Sequence, residues 1–310
     1  MTYNWAPLLG KFEHTDNSII FKGDTTEYSE GKTGPSIGNI ICDQSFGGGT
    51  ISADIKFTEF SKESACELII FYDPTTKHFV TAGLGGGGIA MFNIRHFDTQ
   101  WTYHAQAGEH SNLKANKVYK VKVFLKGSRV VLNVDGVDVI SANLPFPLSQ
   151  SQVGIWCLDY KDIKDIHVSN YMIIKEKPKV FIVMQFTTPY NELYNDVIKK
   201  VCSEFELEAI RADETFSPGI IIADVAKQII ESKLIIADIT PKNPNVFYEV
   251  GFAHALNKPT ILIAEKPTEL PFDVSAFRTL FYENSIRGKA KIEDGLRQHI
   301  KAILTDWYRS

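Results

Sequence analysis

The segment NPNVFYEVGFAHALNKP, Asn243 to Pro259, drops one carboxylate, Glu249, into an otherwise apolar run that opens on two asparagines around a proline. An unpaired buried carboxylate costs several kcal/mol or must shift its pKa. An acid at that position is therefore a cap, a buried group without a role, or a catalyst. Near a helix N-terminus a carboxylate is held ionised, and beside apolar walls its field is poorly screened. A group of that kind stabilises, or attacks, the oxocarbenium-like carbon that forms when a glycosidic bond breaks. A capping box needs a Ser, Thr or Asn three residues earlier, and Val246 stands there.

Further candidates lie in nearby segments. Asp238 or Asp213 is a second carboxylate to hold sugar hydroxyls or protonate a departing base. Phe186, Tyr190 and Phe247 could stack on that base, and Arg211 or Arg278 could pair bidentately with a phosphate. Thr187 and Thr188 in QFTTPYN (185–191), and Asn243 and Asn245 in ADITPKNPN (237–245), complete the set. Plainer uses exist for each: Asp238 and Thr240 as a strand end and turn, the threonines as hydroxyl caps. Trp101 and Trp156 read as β-core or glycan-face aromatics. No His or Cys spacing suits a metal, and no cofactor is expected.

The elements that must position these residues fall into two halves. Up to about residue 173 the chain alternates with period 2, as in GTISADIKFTEF, and short strands are separated by Gly, Asp, Asn and Pro. NVDGVDV sets Asp-Gly between two such runs, a strong hairpin signal. This predicts an all-β jelly-roll sandwich over 1–173. A charged linker, 174–179, follows. From 180 to 310 short apolar runs such as KVFIVMQF alternate with helical stripes, which predicts an α/β flavodoxin-like, doubly wound parallel sheet of about five strands. In a strand order 2-1-3-4-5 the switch point lies between the first and third strands, where the loops 185–191 and 237–245 open. GLGGGG (83–88) satisfies G-x-G-x-x-G, but a strand-like run follows it instead of a helix, so it reads as a glycine turn and not a dinucleotide site.

ADITPKNPNVFYEVGFAHALNKPTILI resembles the core of the nucleoside 2-deoxyribosyltransferase-like superfamily and, more distantly, the Toll/interleukin-receptor (TIR)-like nucleotide-binding domains. The resemblance covers about residues 179–284 and rests on Phe247-Tyr248-Glu249-Val250-Gly251 with Lys258-Pro259, and on Asp238. The family's glycine-rich first loop is missing from QFTTP. The first half resembles concanavalin/laminin-G-like jelly rolls through YKVKVFLKGSRVVLNVDGVDVISA and VGIWC. What the resemblance implies is a hydrolase cleaving the N-glycosidic bond of a nucleotide, either NAD or a nucleoside monophosphate, in antiphage defence, with Glu249 and Asp238 catalytic. The alternatives are a nucleotide-signal sensor without chemistry, or a glycan-binding protein acting through the jelly roll.

Composition bounds these readings. A net charge of −4 across 310 residues argues against general nucleic-acid binding. Four scattered cysteines without CxxC spacing suit reduced thiols. With no signal-like start and no long apolar run, the expectation is a cytoplasmic homo-oligomer without a membrane span, meeting a small nucleotide and a glycan or protein trigger.

Overall fold

The computed structural model describes residues 3–23, 25–29, 32–86, 90–146, 148–159, 165–214, 221–240, 242–270 and 277–306. The chain divides into two compact units, one of residues 1–125, 129–144 and 150–176, the other of 126–128, 145–149 and 177–310.

The first unit is all strand apart from one 3-10 turn among its described residues. In chain order the strands are β1 (Trp5–Leu9), β2 (Lys11–His14), β3 (Ser18–Lys22), β4 (Thr25–Ser29), β5 (Lys32–Phe46), β6 (Gly49–Phe57), β7 (Ala65–Tyr72) and β8 (Phe79–Gly85). They continue with β9 (Ala90–Phe97), β10 (Trp101–Glu109), β11 (Val118–Lys126), β12 (Arg129–Val134), β13 (Val137–Asn143), β14 (Ser151–Asp159) and β15 (Ile166–Lys175). One sheet runs β1-β5-β14-β7-β8-β9-β10 with β4 paired to β5, and the other runs β13-β12-β11-β6-β15-β3-β2.

The second of these sheets follows from alternation. Ile51, Ala53, Ile55 and Phe57 of β6 are buried, as are Tyr119, Val121 and Val123 of β11, while the residues between them face outward. Asp135 and Gly136, both at positive φ, make the two-residue hairpin between β12 and β13. The other sheet departs from alternation: β8 is buried along its whole length and β7 at every residue but its last. Both faces of those strands are therefore covered. On one face an apolar cluster of Ile41, Ala65, Ile69, Phe79 and Trp156 gathers, with Phe97 and Trp101 against it.

The second unit is built on a parallel sheet of β16 (Lys179–Val183), β17 (Glu208–Arg211), β18 (Leu234–Asp238), β19 (Thr260–Glu265) and β20 (Thr279–Tyr282), in the order β17-β16-β18-β19-β20. Among the described residues its α-helices are α1 (residues 190–204), α2 (Ile221–Glu231), α3 (Pro244–Ala255) and α4 (Ile286–Asp306), and Tyr194–Ile198 within α1 is π-helical. Strand residues alternate between two apolar layers. Val180 and Ile182 pack with Val197 and Val201 of α1 and Leu296 and Ile300 of α4. Phe181 and Val183 pack with Val225 and Ile229 of α2 and Val246, Val250 and Ala253 of α3. A strand covered on both faces has no polar side to show, which is why these runs are continuously apolar. Because β15 ends at Lys175 and β16 starts at Lys179, only residues 176–178 of the expected linker lie between strands.

Candidate functional site

The loops at the carboxyl ends of β16 and β18 hold most of the expected residues. Thr187 and Thr188 are exposed, and Gln185 Nε2 donates to Thr187 Oγ1 at 3.0 Å. Asn243 caps α3, its side-chain oxygen accepting from Asn245 N at 3.0 Å, with Pro244 in the first helical position. Arg211 and Asp213 hold each other: Nε to Oδ1 at 2.7 Å and Nη2 to Oδ2 at 2.6 Å, while Nη1 donates to Asn191 Oδ1 at 2.8 Å. The guanidinium lies 4.9 Å from the Phe186 ring and 4.6 Å from that of Tyr194. The fork expected to grip a phosphate is thus occupied by a carboxylate from its own loop.

Asp238, 1% exposed, accepts from Thr240 Oγ1 at 2.5 Å, Thr240 N at 2.9 Å and Tyr282 Oη at 2.8 Å. Burial raises its carboxyl above the usual range, and those hydrogen bonds pull it back. Tyr190 stands near enough for Asp238 to raise its phenol further, after burial. Asp238, Tyr190 and Tyr282 are thereby brought together, with Asp238 joining the ends of β18 and β20. Phe247 packs against the α3 layer, and Arg278 is exposed just before β20.

Glu249 does not fit the ionised group expected of it. It is the sixth helical residue after the cap, beyond the first turn within which a helix end acts. Burial alone pushes its carboxyl up to about 7, with no charged neighbour contributing, so Glu249 and Asp238 do not form an interacting carboxylate pair. A carboxyl raised above its unfolded value of about 4.3 stabilises the fold at low pH, and that stability is lost as pH rises through about 7. Glu249→Gln, neutral at every pH, is expected to add about 1–2 kcal/mol of unfolding free energy at pH 8, after allowance for solvent screening, and nothing at pH 4. Urea titrations at the two pH values measure this. An equal effect at both would refute it.

The first unit contains a polar cluster of a different kind. Strand register places Glu67 opposite Trp156 and Gly83, Arg95 opposite Thr81 and Tyr103, Asn93 opposite Gly83 and Gln106, and Phe97 opposite Trp101. Residues directly opposite share a face. Arg95, 2% exposed, donates from Nε to Glu67 Oε2 at 3.0 Å and from Nη1 to Tyr103 Oη at 3.1 Å. Its guanidinium carbon sits 3.7 Å from the Trp101 ring centre and 4.6 Å from that of Trp156, in cation–π range of both. Thr81 Oγ1 donates to the same Glu67 oxygen at 2.5 Å, and Gln106 Nε2 donates to Asn93 Oδ1 at 2.7 Å. Burial raises the Glu67 carboxyl, while the Arg95 charge opposes the shift.

Arg95 Nη2 and Glu67 Oε1 are buried with no hydrogen-bond partner among the described residues, as is Asn39 Oδ1, on the residue opposite Trp156. The first two face one spot: a Cβ added to Gly86, at φ +102, would stand 2.7 Å from Nη2 and 3.0 Å from Oε1. Above this floor Tyr103 is 37% exposed, Gln106 is exposed and Trp101 partly so. Neither Glu67 nor Arg95 belongs to the expected site. The signal for them was the one that singled out Glu249, a charge inside an apolar run, here ACELIIFY and IAMFNIRHF.

No family model matches the chain, and no curated protein does. Among solved structures it is similar to a carbohydrate-binding module from Bacillus subtilis, at 20% identity over 54% of this chain and 92% of that one, TM-score 0.41. It is similar to a prokaryotic β-1,3-1,4-glucanase (lichenase) derived from a mouse hindgut metagenome, at 11% identity over 54% and 89%, TM-score 0.38. A galectin of Caenorhabditis elegans matches at 14% identity over 41% and 86%, TM-score 0.29. The likeness is to jelly-roll folds and concerns the N-terminal part. The expectation of a nucleotide N-glycosidase is corrected: these neighbours are carbohydrate-binding and glucanase proteins, and none of them supports the deoxyribosyltransferase-like or TIR-like reading. The Glu249 carboxyl, raised by burial, and the occupied Arg211 fork are the physical counterpart of that correction.

Proposed function

We propose that the jelly-roll domain, residues 1–173, binds carbohydrate at the Arg95 cluster, with residues 180–310 forming a separate α/β domain. The supporting observation is the side-by-side pair of buried atoms without a partner among the described residues, one donor and one acceptor, at Arg95 Nη2 and Glu67 Oε1. Each unmade hydrogen bond of this kind costs about 1–3 kcal/mol, so a native site retains it for a reason. A sugar hydroxyl donates and accepts at once and satisfies both. The partly exposed Trp101 supplies apolar surface for a sugar beside the ring contact it makes with Arg95, and Tyr103 and Gln106 supply hydrogen bonds at the rim. Binding without cleavage fits best, because glycoside hydrolysis generally uses two carboxylates. Glu67 is the cluster's single carboxylate among the described residues, and Arg95 engages it.

Native-gel retardation of the full chain by embedded β-1,3-1,4-glucan, galactan, mannan and xylan tests the proposal. Trp101→Ala is expected to weaken retention at least about tenfold, as loss of a central aromatic anchor does. Gln106→Ala, removing one exposed hydrogen bond, is expected to weaken it by about three- to tenfold. Retention by none of the four, or retention unchanged in Trp101→Ala, would overturn the assignment.

A further inference from the structure

We propose that the jelly roll carries a second carbohydrate-binding cleft, built on other strands from the Arg95 cluster: β1, the turn between β2 and β3, and the bulged part of β15. The inference rests on reading this domain as a glycan binder. The cleft measures about 310 Å³ and is lined by Tyr3, Trp5, the turn Thr15–Ser18, and Asn170–Met172.

Three aromatic rings form a corner within it. Tyr3 and Trp5 lie 6.1 Å apart at 70°, Tyr3 and Tyr171 5.6 Å apart at 89°, and Trp5 and Tyr171 4.9 Å apart at 75°. The corner is tied to the sheet, since Tyr3 Oη accepts from Ile173 N at 3.1 Å. The ladder between β15 and β6 breaks between Ser169 and Met172, and Asn170 sits at φ +52. A bulge re-aims the side chains it carries and recurs beside binding sites. Here it carries Asn170 and Tyr171. Asn170 Nδ2 is held by Asp54 Oδ2 at 2.8 Å, which fixes the amide. On the opposite side the turn offers the exposed Asp16 carboxylate, the exposed Asn17 amide and the Ser18 hydroxyl.

The lining selects the ligand class. A lipid or purely apolar peptide would strand the carboxylate, amides and hydroxyls against groups that cannot bond them. A quaternary ammonium would suit the rings and Asp16 but leave Asn17, Ser18 and Asn170 unserved. A sugar ring uses both halves, its C–H face on the aromatics and its hydroxyls on the polar turn, with Asp16 as a charge-assisted acceptor. The volume lies at the small end of ligand pockets, which suits a short stretch of glycan. Two such sites on one domain make it bivalent toward a polymer, and its retention would exceed that of either site alone.

The experiment uses the full chain and whichever of β-1,3-1,4-glucan, galactan, mannan or xylan retards it, with calorimetry on the matching short oligosaccharide. Wild type is expected to titrate with two sites per chain, Trp5→Ala and Trp101→Ala with one each, and the double variant with none. Either single variant is expected to weaken retention by the polymer at least about tenfold through lost avidity. Asp16→Asn, on an exposed turn, is expected to weaken one of the two sites severalfold and guards against misfolding of Trp5→Ala. One site per chain, untouched by Trp5→Ala and Asp16→Asn, overturns this cleft and leaves the Arg95 cluster standing. Loss of all binding in Trp5→Ala alone, with Trp101→Ala silent, upholds the cleft and overturns the cluster. No binding to any of the four polymers overturns both.

Discussion

Arg95→Met is expected to lower the unfolding free energy by about 3–5 kcal/mol, the largest stability effect of any substitution considered for the first unit. The reason is what it leaves behind. Glu67 is 0% exposed, and without the guanidinium its carboxylate keeps only the Thr81 hydroxyl as a described partner. It must then stay charged without compensation or take up a proton. Trp101 and Trp156 also lose the cation between them. The companion variant makes the explanation testable. Glu67→Leu in the Arg95→Met background removes both charges together and is expected to recover most of the loss, because a buried ion pair replaced by apolar groups is often neutral or stabilising. Denaturant unfolding of the wild type, both single variants and the double variant measures the cycle. Additive losses would show that packing, and not an orphaned charge, carries the effect.

The second large effect is a rise in stability with alkaline pH. Lys233 and Lys258, each 5% exposed, are buried without a described acidic partner. Burial lowers Lys233 to about 8, and burial with the Lys233 charge lowers Lys258 to about 7. Both donate to carbonyls: Lys233 Nζ to Leu148 O, and Lys258 Nζ to Ile230 O at 2.5 Å and Ser232 O at 2.8 Å. The Lys258 contacts satisfy carbonyls at and just past the C-terminus of α2, groups that a helix end otherwise leaves open. The folded values lie below the unfolded value of about 10.4, so between them the unfolded chain holds a proton that the folded chain has released. Stability therefore climbs as pH rises from about 7 for Lys258 and about 8 for Lys233 toward 10, by roughly 1 kcal/mol per pH unit for each. Lys258→Met is expected to flatten that slope by about half and to be more stable than wild type at pH 7. Urea midpoints across pH 7–10 decide it. A flat wild-type profile would mean that both ammonium groups stay protonated in the fold.

How far the sequence foretells this structure differs between the halves, for physical reasons. In the second unit, strands covered on both faces must be apolar throughout, and the helices between them must carry a stripe. KVFIV, LIIAD and TILIAE therefore announce a parallel sheet without help from neighbours. In the first unit, alternation and an Asp-Gly turn reveal β6, β11, β12 and β13. The strand over Lys32–Phe46 is hidden because Gly34, Pro35 and Gly38 read as turn chemistry, although its pairing to β1, β4 and β14 holds it extended. The site was harder still. Glu249 is visible as an acid in an apolar helix, but the shift of its carboxyl depends on how far the folded chain buries it. Glu67 and Arg95 are equally visible as lone charges, yet only the register across β7, β8 and β9 shows that they meet.

The π-helical stretch of α1 bears on how this chain tolerates changes in length. A π turn holds one more residue than the α turn it replaces, and Tyr194, Val197 and Ile198 within it are all buried. The extra residue lets both ends of the helix keep their apolar stripe against the sheet although the two stripes are out of phase by one position. Loss of one residue among 194–198 would let the helix relax to plain α geometry while its flanks stayed in place. A deletion elsewhere in α1 would instead rotate a whole flank away from the core.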